Sequence, residues 1–144
     1  MEGDFYMRTV KGKDVKPSGE SSQPVACELK QESGKTVVYI SSEVMGHGDD
    51  ELGRILMAKY LDTLSHFATS IDKVIFVNSG VKLTVEDSPV LDSIRNLENA
   101  GIQILSCGTC LNHFGLKEDL KVGEVSNMYA IIEAISKGQK VMMP

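Results

Sequence analysis

Cysteine is scarce in this chain: three in 144 residues, at Cys27, Cys107 and Cys110. An odd, small number does not make a disulfide framework, and a chain of this length buries a core without one. Surplus positive charge is also missing. Fifteen Lys and Arg stand against twenty Asp and Glu, a net charge of -5, which argues mildly against nucleic acid as a partner because phosphate binding needs a basic face. No long uninterrupted apolar run occurs, so no membrane-spanning helix is expected. The first residues, MEGDFYMRTVKGK, hold no apolar signal-peptide core. The expected location is therefore the cytoplasm, where thiols stay reduced. In such a compartment a close pair of cysteines reads as redox, sulfur-transfer or metal chemistry. What is present is ordinary for a globular domain: 42% hydrophobic and 24% charged residues.

Two regions differ in pattern. Residues 1 to about 34 are rich in Gly, Ser, Lys and Glu, and KGKDVKPSGESSQP has no hydrophobic period and reads as a flexible linker. Before it, Asp4 to Val10 alternates like a strand, but a lone strand buries no face. From Lys35 on, strands alternate with helices. Thr36 to Ile40, Val74 to Val77 and Ile102 to Leu105 read as strands covered on both faces. Lys121 to Val125 is a weaker fourth candidate, and Lys140 to Met143 is a last strand. A first helix is expected from about Asp49 to Phe67, with Leu52, Ile55, Leu56, Leu64 and Phe67 as its buried stripe. A second begins at Ser88-Pro89, with Ser88 as cap and Val90, Leu91, Ile94 and Leu97 buried, and ends at Gly101. A short one runs from about Thr109 to Phe114. The last is capped at Ser126 or Asn127 and buries Met128, Ile131, Ile132 and Ile135. This alternation predicts an α/β protein, a three-layer α/β/α sandwich on a mostly parallel sheet of four or five strands. Ligands of such folds bind outside the carboxyl ends of the strands. That rule selects Ser41 to Asp50, Asn78 to Lys82, Ser106 to Cys110 and Gly123 to Asn127.

Cys107-Gly108-Thr109-Cys110 falls where a strand meets a short helix. The thiolate is the reactive form of cysteine, and a helix N-terminus favours it. Gly108 is expected to permit a sharp turn, and Thr109 to cap the helix. The plainer reading makes both cysteines core fillers. A third sets Cys107, Cys110 and His113 around a metal, with Asp49 or His47 as a fourth ligand, although a structural zinc site normally shows a second Cys or His pair. His47, in a glycine-rich acidic loop, is a candidate proton donor or acceptor near the thiols. Asn78 and Lys82 offer amide groups and a cation to an anionic sulfur species. Each of these has a bland counterpart, as a loop residue or a solvated lysine.

Four segments in order, VYISSEVMGHGDDELGRILM, FVNSGVKLTVEDSPVL, ILSCGTCLNHFGL and KVGEVSNMY, resemble the DsrE-like sulfur-relay family (DsrE/DsrF/DsrH). Within it they resemble the C-terminal domain of YedF-like selenium-metabolism proteins. The resemblance covers about Lys35 to Met143. It implies an α/β/α sandwich, frequent homo-oligomers, no bound organic cofactor, and a cysteine after the third strand that accepts sulfur as a persulfide. Cys107, with Gly115-Leu116 behind it, stands at the matching position. Cys110 is an additional thiol that would resolve or protect the persulfide. YedF-like proteins carry an N-terminal TusA/SirA-like sulfur-carrier domain with a Cys-Pro-x-Pro motif, which this sequence lacks. Residues 1–34 are thus expected to be a remnant strand of that domain plus linker, 35–144 the DsrE-like domain, and a carrier domain or protein the partner. A non-enzymatic ligand- or metal-binding regulatory module using the same edge is the alternative, and a dithiol oxidoreductase a third.

Overall fold

The structure, a computed structural model, describes residues 35–144. The expected strand over residues 4–10, the linker and Cys27 lie outside the described residues. Runs of β-branched residues build one five-stranded sheet: β1 (Thr36–Ile40), β2 (Ile71–Phe76), β3 (Gln103–Cys107), β4 (Glu124–Ser126) and β5 (Lys140–Met142). Their spatial order is β4-β3-β2-β1-β5, and every neighbouring pair is parallel. The sheet thus has five strands, and the weak fourth candidate is a strand, although it begins at Glu124 rather than Lys121.

The chain steps outward from β1 through β2 and β3 to β4, then returns to place β5 beside β1. Right-handed crossovers taken in opposite directions put their helices on opposite faces. Helices α1 (Asp50–Leu64) and α2 (Leu91–Asn99) cover one face, and α4 (Met128–Lys137) the other. The short α3 (Gly108–His113) follows β3 directly. Alternate residues of each strand feed the two cores. Val38, Ile40, Val74, Phe76 and Ile104 meet Met57, Leu61, Ile94 and Leu97 on one side. Val37, Ile75, Leu105 and Cys107 meet Ile131 on the other.

Three helix expectations are corrected. Helix α1 buries Gly53, Met57, Leu61 and Leu64, while Leu52, Ile55, Leu56 and Phe67 are exposed. Apolar residues occupy more than one side of this helix, and the glycine decides which side packs. A Cβ on Gly53 would lie 2.8 Å from Val44 Cβ and 3.1 Å from the Met45 carbonyl, so only that side can meet the loop. Phe67 leaves the stripe because α1 ends at Leu64 and a 3-10 turn over Ser65–Ser70 follows, with Phe67 at φ -117. Helix α2 begins at Leu91 rather than Ser88; the Ser88 hydroxyl instead accepts the Val90 N–H in the preceding turn, at 3.3 Å. Helix α4 is capped by Asn127, whose Oδ1 accepts the Ala130 N–H at 2.8 Å, because Ser126 is still in β4. Of its expected buried face, Ile131 is buried and Ile135 half-buried, whereas Met128 and Ile132 are exposed. Helix α1 is capped by Asp49, whose Oδ1 accepts the Leu52 N–H at 2.9 Å.

Candidate functional site

The end of β3 carries the chemistry. Cys107 is both its last residue and the N-cap of α3. Its side chain points into the core under α4 and is only 1% exposed. One turn later Cys110 is half-buried and packs against both core clusters, at the seam between the two faces. Both thiols are free. Thr109 between them is exposed and does not cap α3; the cap position belongs to Cys107, which makes no side-chain cap bond. Gly108 is favoured by close approach rather than by a turn: a Cβ there would sit 3.0 Å from Val125 Cγ1 and 3.2 Å from the Ser126 carbonyl. A glycine closure ends α3. The Leu116 N–H reaches the Leu111 carbonyl at 2.8 Å, and Gly115 takes φ 67.

The neighbouring strand addresses the second thiol. Just past β2, Asn78 turns into the left-handed region at φ 52, which Asn tolerates better than most residues. Its backbone N–H donates to Cys110 Sγ at 3.0 Å. Burial pushes the Cys110 thiol above the usual cysteine range. The Asn78 N–H opposes that rise, and the hydrogen bond and charge of Cys107 add to it. The resting thiol is therefore protonated near neutral pH. Once ionised it is a strong nucleophile, because intrinsic nucleophilicity rises with thiol pKa.

His47 is exposed in the loop after β1, between Gly46 at φ 82 and Gly48 at φ 116. The Lys82 Nζ lies 3.7 Å from Glu43 Oε1 and 4.7 Å from the Phe114 ring centre, one turn beyond Cys110 in sequence. His113 packs edge-on against Phe114, with ring centres 5.1 Å apart. Among the described residues, no three His, Cys, Asp or Glu side chains gather in a metal-holding cluster. The set of Cys107, Cys110 and His113 with Asp49 or His47 is thus not assembled.

Sequence reasoning missed three residues around the site. Glu43 ties the loop to Lys82 and, at 3.7 Å, to Arg54; its backbone N–H also reaches Ser79 Oγ at 3.3 Å. Thr84 and Ser106 form a fully buried hydroxyl pair. A lone serine inside the apolar run Ile104-Leu105-Ser106-Cys107 was the available signal. Two concavities of about 390 Å³ each lie elsewhere, one between α1 and residues 82–90 and one below α4 at the amino end of the sheet. Neither is lined by Cys107 or Cys110.

The fold and site define a class: parallel α/β domains with free thiols at the carboxyl edge of the sheet. The model of the DsrE/DsrF-like family matches residues 47–144, more than half of the chain, and the chain belongs to that family. Among solved structures, YchN of E. coli superposes with a TM-score of 0.60 at 13% identity, covering 76% of this chain and 98% of that one. MTH1491 of Methanobacterium thermoautotrophicum gives 0.58 at 22% identity, with coverages of 76% and 98%. BT1422 of Bacteroides thetaiotaomicron gives 0.58 at 18% identity, with coverages of 81% and 100%. At these identities the likeness is one of fold. A comparison with curated proteins gives no match. Family membership supports a sulfur-relay role in general terms, and no helix among the described residues is long and apolar enough to cross a membrane.

Proposed function

We propose that this domain relays sulfane sulfur through Cys110 to Cys107, where it is held as a persulfide. The observation that carries the reading is the graded exposure of two free thiols one helical turn apart at the sheet edge. The resemblance supports Cys107 as the holder of the persulfide, and the burial of that residue favours Cys110 as the receiver. Ionised Cys110 attacks the sulfane sulfur of a donor persulfide. A Cys110 S–S bond forms, the donor's S–S bond breaks, and the donor leaves as a thiolate that takes up the proton Cys110 lost. Cys107 then attacks the terminal sulfur. Cys110 departs as thiolate and receives the proton of Cys107. No oxidant or reductant is consumed. The reverse steps pass the sulfur out through Cys110 to an acceptor thiol. The Asn78 N–H stabilises each Cys110 thiolate as it forms.

The acceptor that fits this chemistry is a TusA/SirA-like sulfur-carrier domain or protein. A YedF-like context extends the same chemistry to selenium, whose nucleophilic displacements follow the same course. Reduced thiols of this kind belong in the cytoplasm. The exposed Leu52, Ile55, Leu56, Met128, Tyr129 and Ile132 support a homo-oligomer, since monomers rarely present so much apolar surface.

The test is intact-mass spectrometry of the reduced protein after a persulfide donor is added. Wild type should gain one sulfur. Cys110→Ser should gain none in the same time. Cys107→Ser should gain one that added thiol strips quickly. Equal gain in wild type and Cys110→Ser, or no gain in any form, would remove the relay.

A further inference from the structure

The core facing α1 and α2 contains a polar pair that packing alone does not call for. Thr84 and Ser106 are both 0% exposed. Ser106 immediately precedes Cys107 on β3 and points to the opposite face. Thr84 closes the 3-10 segment Asn78–Thr84, whose first residue donates to Cys110. The Thr84 hydroxyl donates to the Val81 carbonyl at 2.8 Å and lies 3.1 Å from Ser106 Oγ. A hydroxyl has one proton. Thr84 spends its own on Val81, so Ser106 is the donor to Thr84. Two directional hydrogen bonds therefore run from the strand bearing Cys107 into the middle of the segment that addresses Cys110.

The other side of that segment is equally confined. The Gly80 N–H donates to the Val77 carbonyl, and the Val77 N–H to that of Ile40, both at 2.9 Å. A Cβ on Gly80 would lie 2.5 Å from the Ile40 carbonyl oxygen. With β1 on one side and the hydroxyl pair on the other, the segment has little freedom to move the Asn78 amide. Buried hydroxyls cost free energy unless satisfied, and satisfied ones define a single geometry.

We propose that the Thr84–Ser106 hydroxyl pair is a positioning device that holds the Asn78 N–H on Cys110 and so sets the reactivity of that thiol. It rests on the relay reading for its biological use, but its test does not require sulfur transfer. The readout is the pH profile of Cys110 alkylation, measured on the peptide that contains it in a Cys107→Ser background. Thr84→Val keeps the shape of the side chain and removes the hydroxyl. The profile should move to higher pH, and alkylation near neutral pH should slow about fivefold, the worth of one neutral hydrogen bond. Thr84→Ser keeps the hydroxyl and should restore the profile. Ser106→Ala, a milder change should Thr84→Val fail to fold, should move it in the same direction. An unchanged profile in the folded variants, with or without a lower melting temperature, would overturn the proposal and reduce the pair to a structural contact. Failure of the relay would instead appear as absent sulfur gain with these profiles intact.

Discussion

Ile131 is the only α4 residue that is fully buried, and it closes the core in which Cys107 sits. Ile131→Ala removes three carbons. At about 0.8 kcal/mol per buried methylene this forfeits about 2.4 kcal/mol of transfer free energy, and incomplete collapse of the cavity raises the total to about 3 kcal/mol. For a domain of this size, 1 kcal/mol is worth about 4 °C, so the melting temperature should fall by about 12 °C. The thiol should report the same change. If Cys107 is alkylated only when the core opens, a loss of about 3 kcal/mol speeds its labelling about 100-fold. The assay follows iodoacetamide uptake on the peptide carrying Cys107, in a Cys110→Ser background, beside a thermal melt. Destabilisation below about 1 kcal/mol, or labelling of Cys107 as slow as before, would refute the claim that α4 shields this thiol.

Other outcomes follow from the same geometry. Cys110 should alkylate with a midpoint above the ordinary cysteine range, and Cys107→Ala, which removes two of the influences that raise it, should bring the midpoint down. Because the folded state holds this proton more tightly than the unfolded chain, its contribution to stability is intact below the ordinary cysteine range and is lost as pH rises from there through the raised folded-state value; urea midpoints at neutral and alkaline pH check the sign. Gly123→Ala should cost more than about 2 kcal/mol, since Gly123 has φ 74 and a Cβ there would lie 2.5 Å from the Ile104 carbonyl; a near-neutral urea titration would contradict the β3–β4 packing. Asp49→Ala should remove about 1 kcal/mol by uncapping α1, read from the same titration, and an unchanged midpoint would argue against the cap.

Much of the architecture was legible because it rests on local patterns. Apolar β-branched runs predicted β1, β2 and β3, and Gly101 marked a helix end that the structure keeps. The buried side of α1 was not legible, because a helix with apolar residues on two sides offers two solutions. The choice depended on a loop contact at Gly53 that only the tertiary structure makes. Of the candidate site, Cys107 and Cys110 were visible as a motif, and Asn78 as a residue at the right edge. Its contribution is the backbone N–H, which carries no residue signature beyond tolerance of positive φ. The contacts of Lys82 with Glu43 and Phe114 were not legible, because charge alone does not name a partner. The difference in burial between Cys107 and Cys110, on which the proposed order of transfer depends, arises from strand alternation and α4 packing together. Neither is written in the four residues of the motif.

The most direct measurement locates the sulfur itself. Wild-type protein is loaded from a persulfide donor, trapped with alkylating reagent at successive times, and the peptide spanning β3 and α3 is fragmented between Gly108 and Thr109. The relay predicts the extra sulfur first on Cys110 and later on Cys107. Sulfur that appears on Cys107 without passing through Cys110, or that never leaves Cys110, would contradict it.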